Sequence, residues 1–251
     1  MSNPAIHTFD NGVRIHDHHL LDVQRARYRI RNVHEADEEE VFLAALARIP
    51  TGGVFLNVGT AVGYYVILAK LKRPDLTIHG VEPLPGNVAR FKENLPVNQL
   101  SPSDFQLHEL AIAGKDEADA QLLDDSYASR LLDPAEPVLL KCARSWLRWW
   151  RGGAGNVVRV KTITLAKLCQ TIGTRIDLVQ MDIQGLELPV LERYFASPHP
   201  SGISEFLVGT HSKKIHASVI HLMKQNGYTV TFECARPAGQ PDGIVLAVDP
   251  S

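Results

Sequence analysis

The chain has 251 residues, enough for one large domain with a buried core, and its 45% hydrophobic and 22% charged residues exclude a largely disordered protein. Lys plus Arg number 26 against 28 Asp plus Glu, a net charge of −2, which excludes a broad cationic field for nucleic acid or an anionic membrane surface. No segment approaches the roughly 18 apolar residues of a membrane span, the first ten residues do not resemble a secretory leader, and Cys142, Cys169 and Cys234 lack CxxC spacing, so a reducing, cytoplasmic setting is expected.

In chain order, residues 1–49 read as an extension packed on the core, with an acidic-faced helix over Glu35 to Ala47. Residues 50–251 then alternate β-rich runs with segments of helical period, the pattern of a doubly wound α/β sheet with helices on both faces. Val54 to Val58 is the first strand and Tyr64 to Leu71 its helix, ended by Pro74. Thr77 to Glu82 is the second strand, followed by a helix over Asn87 to Asn94 that stops before Pro96. Further strands are expected at Phe105 to Glu109, Ile176 to Met181, Glu205 to Val208, Tyr228 to Glu233 and Ile244 to Val248. Helices are expected at Leu186 to Phe195 and Ala217 to Asn226, the latter closed by Gly227. Residues 124–156 break the rhythm and read as an insertion or cap carrying Arg144, Trp146, Arg148, Trp149, Trp150 and Arg151.

Ligands of doubly wound sheets bind outside the carboxyl ends of the strands, against exposed amides and helix N-termini. Asn57-Val58-Gly59-Thr60-Ala61-Val62-Gly63 occupies such a strand end, where glycines permit turns closed to other residues and leave the backbone bare. Glu82 follows Gly59 by 23 residues, at the end of the next strand, where a carboxylate can accept hydrogen bonds from both hydroxyls of a ribose. A dinucleotide fingerprint would need GxGxxG. Here the turn is Gly-Thr-Ala-Val-Gly without the middle glycine, which suits a cofactor with a ribose and no phosphate, S-adenosyl-L-methionine being the commonest of that kind.

The segments Phe55 to Tyr65, Glu82-Pro83-Leu84-Pro85-Gly86-Asn87 with Lys92-Glu93-Asn94 and Asn98, Val160 to Leu165, and Ile176 to Glu187 together resemble, in order, four motifs of the FkbM family of S-adenosylmethionine-dependent methyltransferases. The resemblance spans roughly Val54 to Val248. It implies a Rossmann-like class I methyltransferase sheet and a cofactor site of Asn57, Gly59, Thr60, Gly63, Glu82, Pro83 and Asp182. It also implies that Glu109-Leu110-Ala111 lies near the adenine and that Ser129 belongs to a loop closing over the cofactor. Asn57 stands where the family usually has Asp, and Gln184 where it usually has Glu. The second departure argues against a metal, because an amide is a poorer ligand for a hard cation than a carboxylate.

Methyl transfer from a sulfonium depends mainly on holding acceptor, methyl and sulfur in line, but a hydroxyl acceptor must also lose its proton. Asp182 and His211, each following a strand, are the expected catalytic pair, with His211 as base and Asp182 orienting the imidazole or the substrate. The run His16-Asp17-His18-His19 is not expected to bind metal, since neighbours on an extended strand face opposite ways. The Arg/Trp cluster fits a helix over the active-site mouth or against a second subunit of a homodimer better than an RNA-stacking surface. The expected activity is methylation of a hydroxyl on a small molecule of sugar or polyketide type, as in natural-product biosynthesis. An RNA or protein methyltransferase and a catalytically silent S-adenosylmethionine-binding protein are the alternatives.

Overall fold

A computed structural model of the protein describes residues 5–114, 119–124, 130–131, 156–197, 202–237, 240 and 242–250. The fold turns on β3 (Val54–Val58), an apolar run buried along its whole length. It pairs in parallel with β4 (Thr77–Val81) on one side and β10 (Ile176–Met181) on the other. Outward from β4 lies β5 (Gln106–His108). Outward from β10 lies β11 (Ile203–Thr210), then β13 (Gly243–Val248) and β12 (Thr229–Cys234), giving the order β12-β13-β11-β10-β3-β4-β5. Only β13 runs against the rest. Strand order reverses at β3, so the crevice at its carboxyl end is the place where such a sheet takes a ligand.

Side chains alternate across the pleat and supply two cores. Phe55, Leu178, Leu207, Ile244 and Leu246 face one way, onto α2 (Ala36–Arg48), α3 (Tyr64–Lys72) and α4 (Pro85–Val97). Leu56, Val58, Val179, Phe206, Val245 and Ala247 face the other, onto α5 (Leu165–Ile172), α6 (Glu187–Phe195) and α7 (Lys213–Gln225). The front segment also forms the hairpin β1 (Ile6–Thr8) and β2 (Arg14–His16) and the helix α1 (Asp22–Tyr28). From it Phe9, Val13, Ile15, Leu20 and Tyr28 enter the first core.

Beside the main sheet stands a smaller one of β6 (Ala111–Ile112), β7 (Asp119–Asp124), β8 (Arg130–Leu131) and β9 (Asn156–Ile163), ordered β6-β9-β7-β8. Its members were not among the expected strands, since two-residue strands such as β6 exist only through their pairing. The Arg/Trp cluster of residues 144–151 lies outside the described residues.

Two helices depart from their expected bounds. The fourth helix begins two residues earlier, with Pro85 in its first turn, where a missing N–H costs nothing, and it carries Pro96 in its last turn. The last helix begins at Lys213 because the Ser212 hydroxyl caps it, accepting from Ile215 N–H at 3.1 Å.

Candidate active site

The loop after β3 is held against β4 by two backbone bonds, Gly59 N–H and Thr60 N–H to the Val81 carbonyl, both 3.0 Å. Gly59 has φ +99°, and a Cβ there would stand 2.1 Å from the Asp182 carbonyl oxygen. Gly63 has φ +98°, and its Cβ would meet the Phe91 ring at 2.2 Å. Both glycines are thus demanded by the close approach of neighbouring elements as well as by the turn. Ala61 (φ 49°) and Gln184 (φ 58°) adopt the left-handed region without being glycine, one in each loop of the crevice.

Glu82 is buried just beyond β4. Its Oε2 accepts from Ala61 N–H (2.8 Å), and its Oε1 from Leu84 N–H (2.9 Å) and Asn87 Nδ2 (3.2 Å). These bonds lock the carboxylate in the wall of a pocket at the carboxyl ends of β3, β4 and β10. Asn57, Gly59, Thr60, Glu82, Pro83, Ala111 and Asp182, all expected at the cofactor, line it.

Three expected residues lie elsewhere. Gly63 is covered by Phe91, Leu110 packs with the second core, and the Glu109 carboxylate is turned outward to Lys92 Nζ at 2.9 Å. Of the triplet expected near the adenine only Ala111 reaches the pocket, joined there by Ile112 and Leu122. Ser129 is outside the described residues.

The unexpected wall comes from the front segment. Asn57 and Gln180 are register partners on β3 and β10. Asn57 Nδ2 donates to Gln180 Oε1, and Gln180 Nε2 donates to Glu38 Oε1 of α2 at 2.9 Å. The acidic side of α2 therefore points inward, with Glu38 and Glu39 both buried. Burial first, then the Asp182 charge, pushes the Glu38 carboxyl up to about 7, and burial with the Glu38 charge raises Glu35 as well. His34, Tyr64 and Tyr65 complete this side of the pocket. Nothing in the segment's sequence distinguished an inward acidic face from a solvated one.

Asp182 and His211 come together as expected, at the carboxyl ends of neighbouring strands. His211 Nε2 lies 3.0 Å from Asp182 Oδ1 and 3.1 Å from Glu187 Oε1, and its Nδ1 lies 2.6 Å from Asp242 Oδ1. Burial alone would lower the imidazole pKa, but the bonds to Asp182, Asp242 and Glu187 overcome it and raise the ring to about 12. Both nitrogens of this ring face carboxylates. His211, the expected base, thus sits among carboxylates contributed by three other segments. Gln184 Nε2 reaches Asp182 Oδ1 only at 3.4 Å. Glu187 and Asp242 were missed: Glu187 lies within the last family-like segment, whereas Asp242 sits in a loop without a pattern.

Residues Asp17–His19 form a 3-10 turn rather than extended strand, so His18 and His19 do converge, with Glu93. Both nitrogens of His19 are already engaged, with Asn94 at 3.1 Å and Glu93 at 3.0 Å.

The pocket suits a nucleoside-bearing cofactor. It combines apolar lining residues such as Val58, Leu84, Ile112 and Leu122 with a fixed carboxylate at a strand end. The FkbM methyltransferase domain matches residues 57–230, more than half of the chain. No curated protein matches. Among solved structures, precorrin-6y C5,15-methyltransferase from Geobacter metallireducens is 14% identical, with 83% of this chain and 87% of that one covered and a TM-score of 0.44. An rRNA methylase from Streptococcus thermophilus is 6% identical, with 84% and 94% covered and a TM-score of 0.48. M. capricolum TrmK in complex with S-adenosyl-homocysteine is 10% identical, with 84% and 68% covered and a TM-score of 0.44.

Sheet order, crevice and carboxylate define a Rossmann-like methyltransferase fold. The chain belongs to the FkbM methyltransferase family and is an S-adenosylmethionine-dependent methyltransferase.

Proposed function

We propose that the protein transfers the methyl group of S-adenosyl-L-methionine to a hydroxyl oxygen of a small molecule, of sugar or polyketide type. The observation that carries this reading is the acidic wall beside the cofactor pocket, where Asp182 lines the cavity next to His211, Glu187 and Asp242, with buried Glu38 behind. Such a wall accepts hydrogen bonds from hydroxyls and repels phosphates, which counts against an RNA substrate.

Glu82 would hold the ribose hydroxyls, the turn Gly59-Thr60-Ala61 would face the nucleoside, and Pro83, Ala111, Ile112 and Leu122 would supply apolar contact. Asn57, tied through Gln180 to Glu38, sets the polarity at the end of β3, and that network brings a carboxylate near a position where Asn57 itself has none. The bound cofactor supplies an electrophilic methyl on a sulfonium. Asp182 accepts a hydrogen bond from the acceptor hydroxyl, orients its oxygen and receives its proton as the methyl–sulfur bond breaks, and His211 fixes Asp182 from behind.

Two measurements test this. Calorimetry with S-adenosylhomocysteine should show binding that Glu82→Ala weakens at least about tenfold, since the ribose loses a charged acceptor worth roughly 1.5–3 kcal/mol. Undiminished affinity in a folded variant would remove Glu82 from the site. Mass-shift screening of hydroxylated sugars and polyketides should reveal a methylated product. Methylation confined to RNA or protein, or cofactor binding without turnover on any acceptor, would overturn the small-molecule reading.

A further inference from the structure

At the carboxyl ends of β10 and β11, one imidazole meets three carboxylates. Asp182 follows β10, His211 follows β11, Glu187 opens α6, and Asp242 precedes β13. The Glu187 carboxylate is preset by the loop before it, its Oε1 accepting from Ile183 N–H at 2.9 Å and Gly185 N–H at 3.1 Å. Ligand atoms of Asp182, Glu187 and His211 all lie within 4.8 Å of one another. Even a fully charged imidazolium leaves this group with an excess of negative charge, and Glu38 lies close enough to feel the Asp182 charge. Among the described residues, the ion pairs made by these three carboxylates are with His211 and with no Lys or Arg.

A second observation points independently to a missing ligand. Glu187 is wholly buried, and its Oε2 has no hydrogen-bond partner. A buried carboxylate oxygen without a partner is costly, and such orphans mark places where a structure expects another group. The histidine is also arranged as a metal-binding histidine is. With Nδ1 2.6 Å from Asp242 Oδ1, the ring is held so that Nε2 faces the two other carboxylates, where a bound cation would take the place of its proton.

We propose that Asp182, Glu187 and His211 bind one divalent cation, with Asp242 orienting the imidazole. One nitrogen and two carboxylate donors favour manganese, iron(II) or zinc over magnesium or calcium. The site differs from the one that Gln184 was expected to spoil, because Glu187, three residues further on, supplies the second carboxylate. Resting on the O-methylation reading, the ion would have a task there: withdrawing electron density from the acceptor oxygen and easing loss of its proton. Cation binding itself stands apart from that reading.

The test uses the full chain, stripped with a chelator and titrated with manganese(II), the free aqueous ion being followed by electron paramagnetic resonance. One ion per chain should bind and be displaced by zinc(II). Glu187→Gln and His211→Ala should each weaken binding at least about tenfold, Asp242→Asn should weaken it by roughly 10- to 100-fold, and Glu93→Gln at the other histidine cluster should leave it unchanged. Circular dichroism and S-adenosylhomocysteine affinity of Glu187→Gln report whether that variant is folded. Absence of saturable binding up to millimolar manganese and zinc, or equal binding by the wild type and a folded Glu187→Gln variant, would overturn the site. Metal-insensitive methylation of a small-molecule hydroxyl would then still stand, so the two readings fail separately.

Discussion

At the scale of single residues, glycines carried much of the early signal, and their reason proves to be partly architectural. Gly59 leaves room for the Asp182 carbonyl, which brings the ends of β3 and β10 together and makes the crevice. Gly59→Ala combines a Cβ 2.1 Å from backbone oxygen with φ +99°, and neither can be relieved by rotating a side chain. It is expected to lower stability by roughly 2 kcal/mol or more, about 4–8 °C in Tm for a chain of this size. Gly86→Ala is the control, lying within α4 with open space around its missing Cβ, and there alanine should be neutral or stabilising by up to about 1 kcal/mol. Matching thermal melts of the two variants would show that Gly59 tolerates a side chain after all. At the same scale His211 is found beside Asp182, as its position after a strand suggested. Its basicity was not visible from position alone, because it is decided by Glu187 and Asp242, contributed by other elements.

Among elements, those legible in the sequence are the ones whose partners are implicit in their own pattern. The strands β3, β10 and β13 are largely apolar runs and β4 and β12 are rich in β-branched or aromatic residues, and each falls within a residue or two of its expected span. The sheet of β6 to β9 has no such autonomy. Helix α2 was legible as a helix, yet its amphipathic pattern could not say that Glu38 and Glu39 turn inward, since that depends on Gln180 and Tyr64 to receive them. The inward acid has a measurable consequence. Glu38 titrates near 4.5 as a free side chain and near 7 in the fold, where it feels Asp182, Asp242 and Glu35 and accepts from Gln180 and Gln240. Between these values the native state holds more protons than the unfolded chain, so this group's contribution to stability falls as pH rises from 4.5 to 7. Glu38→Gln removes the titration. Relative to wild type, its Tm should therefore gain little at pH 5 and rise progressively to an advantage of at least about 2 °C at pH 8. A difference that stays flat across that range would show that Glu38 is ionised throughout.

For the whole molecule, the family match at residues 57–230 and the packing describe different units. One face of the sheet owes much of its cover to residues that precede the match: Phe9, Val13, Ile15, Leu20 and Tyr28 from the front segment, and Val41, Phe42, Ala45 and Leu46 from α2. They share a core with Phe55, Ile67, Leu68, Leu178 and Leu246, and Arg48 ties α2 to β11 through a two-pronged pair with Glu205, at 2.9 and 2.6 Å. A chain beginning at residue 50 keeps every strand of the main sheet and both glycine loops, yet bares an apolar sheet face, removes His34 from the pocket and removes Glu38 from behind Gln180. Each large apolar side chain left exposed forfeits roughly 1.5–3 kcal/mol, so a handful exceeds the net stability of an ordinary domain, about 5–15 kcal/mol. The fragment 50–251 is expected to aggregate, or at best to form a collapsed state without a cooperative melt, and to bind no S-adenosylhomocysteine. Calorimetric melting and light scattering on the fragment decide the matter. A monomeric fragment that melts cooperatively within a few degrees of the full chain would mean that the front segment is an addition to a self-sufficient core rather than one wall of it.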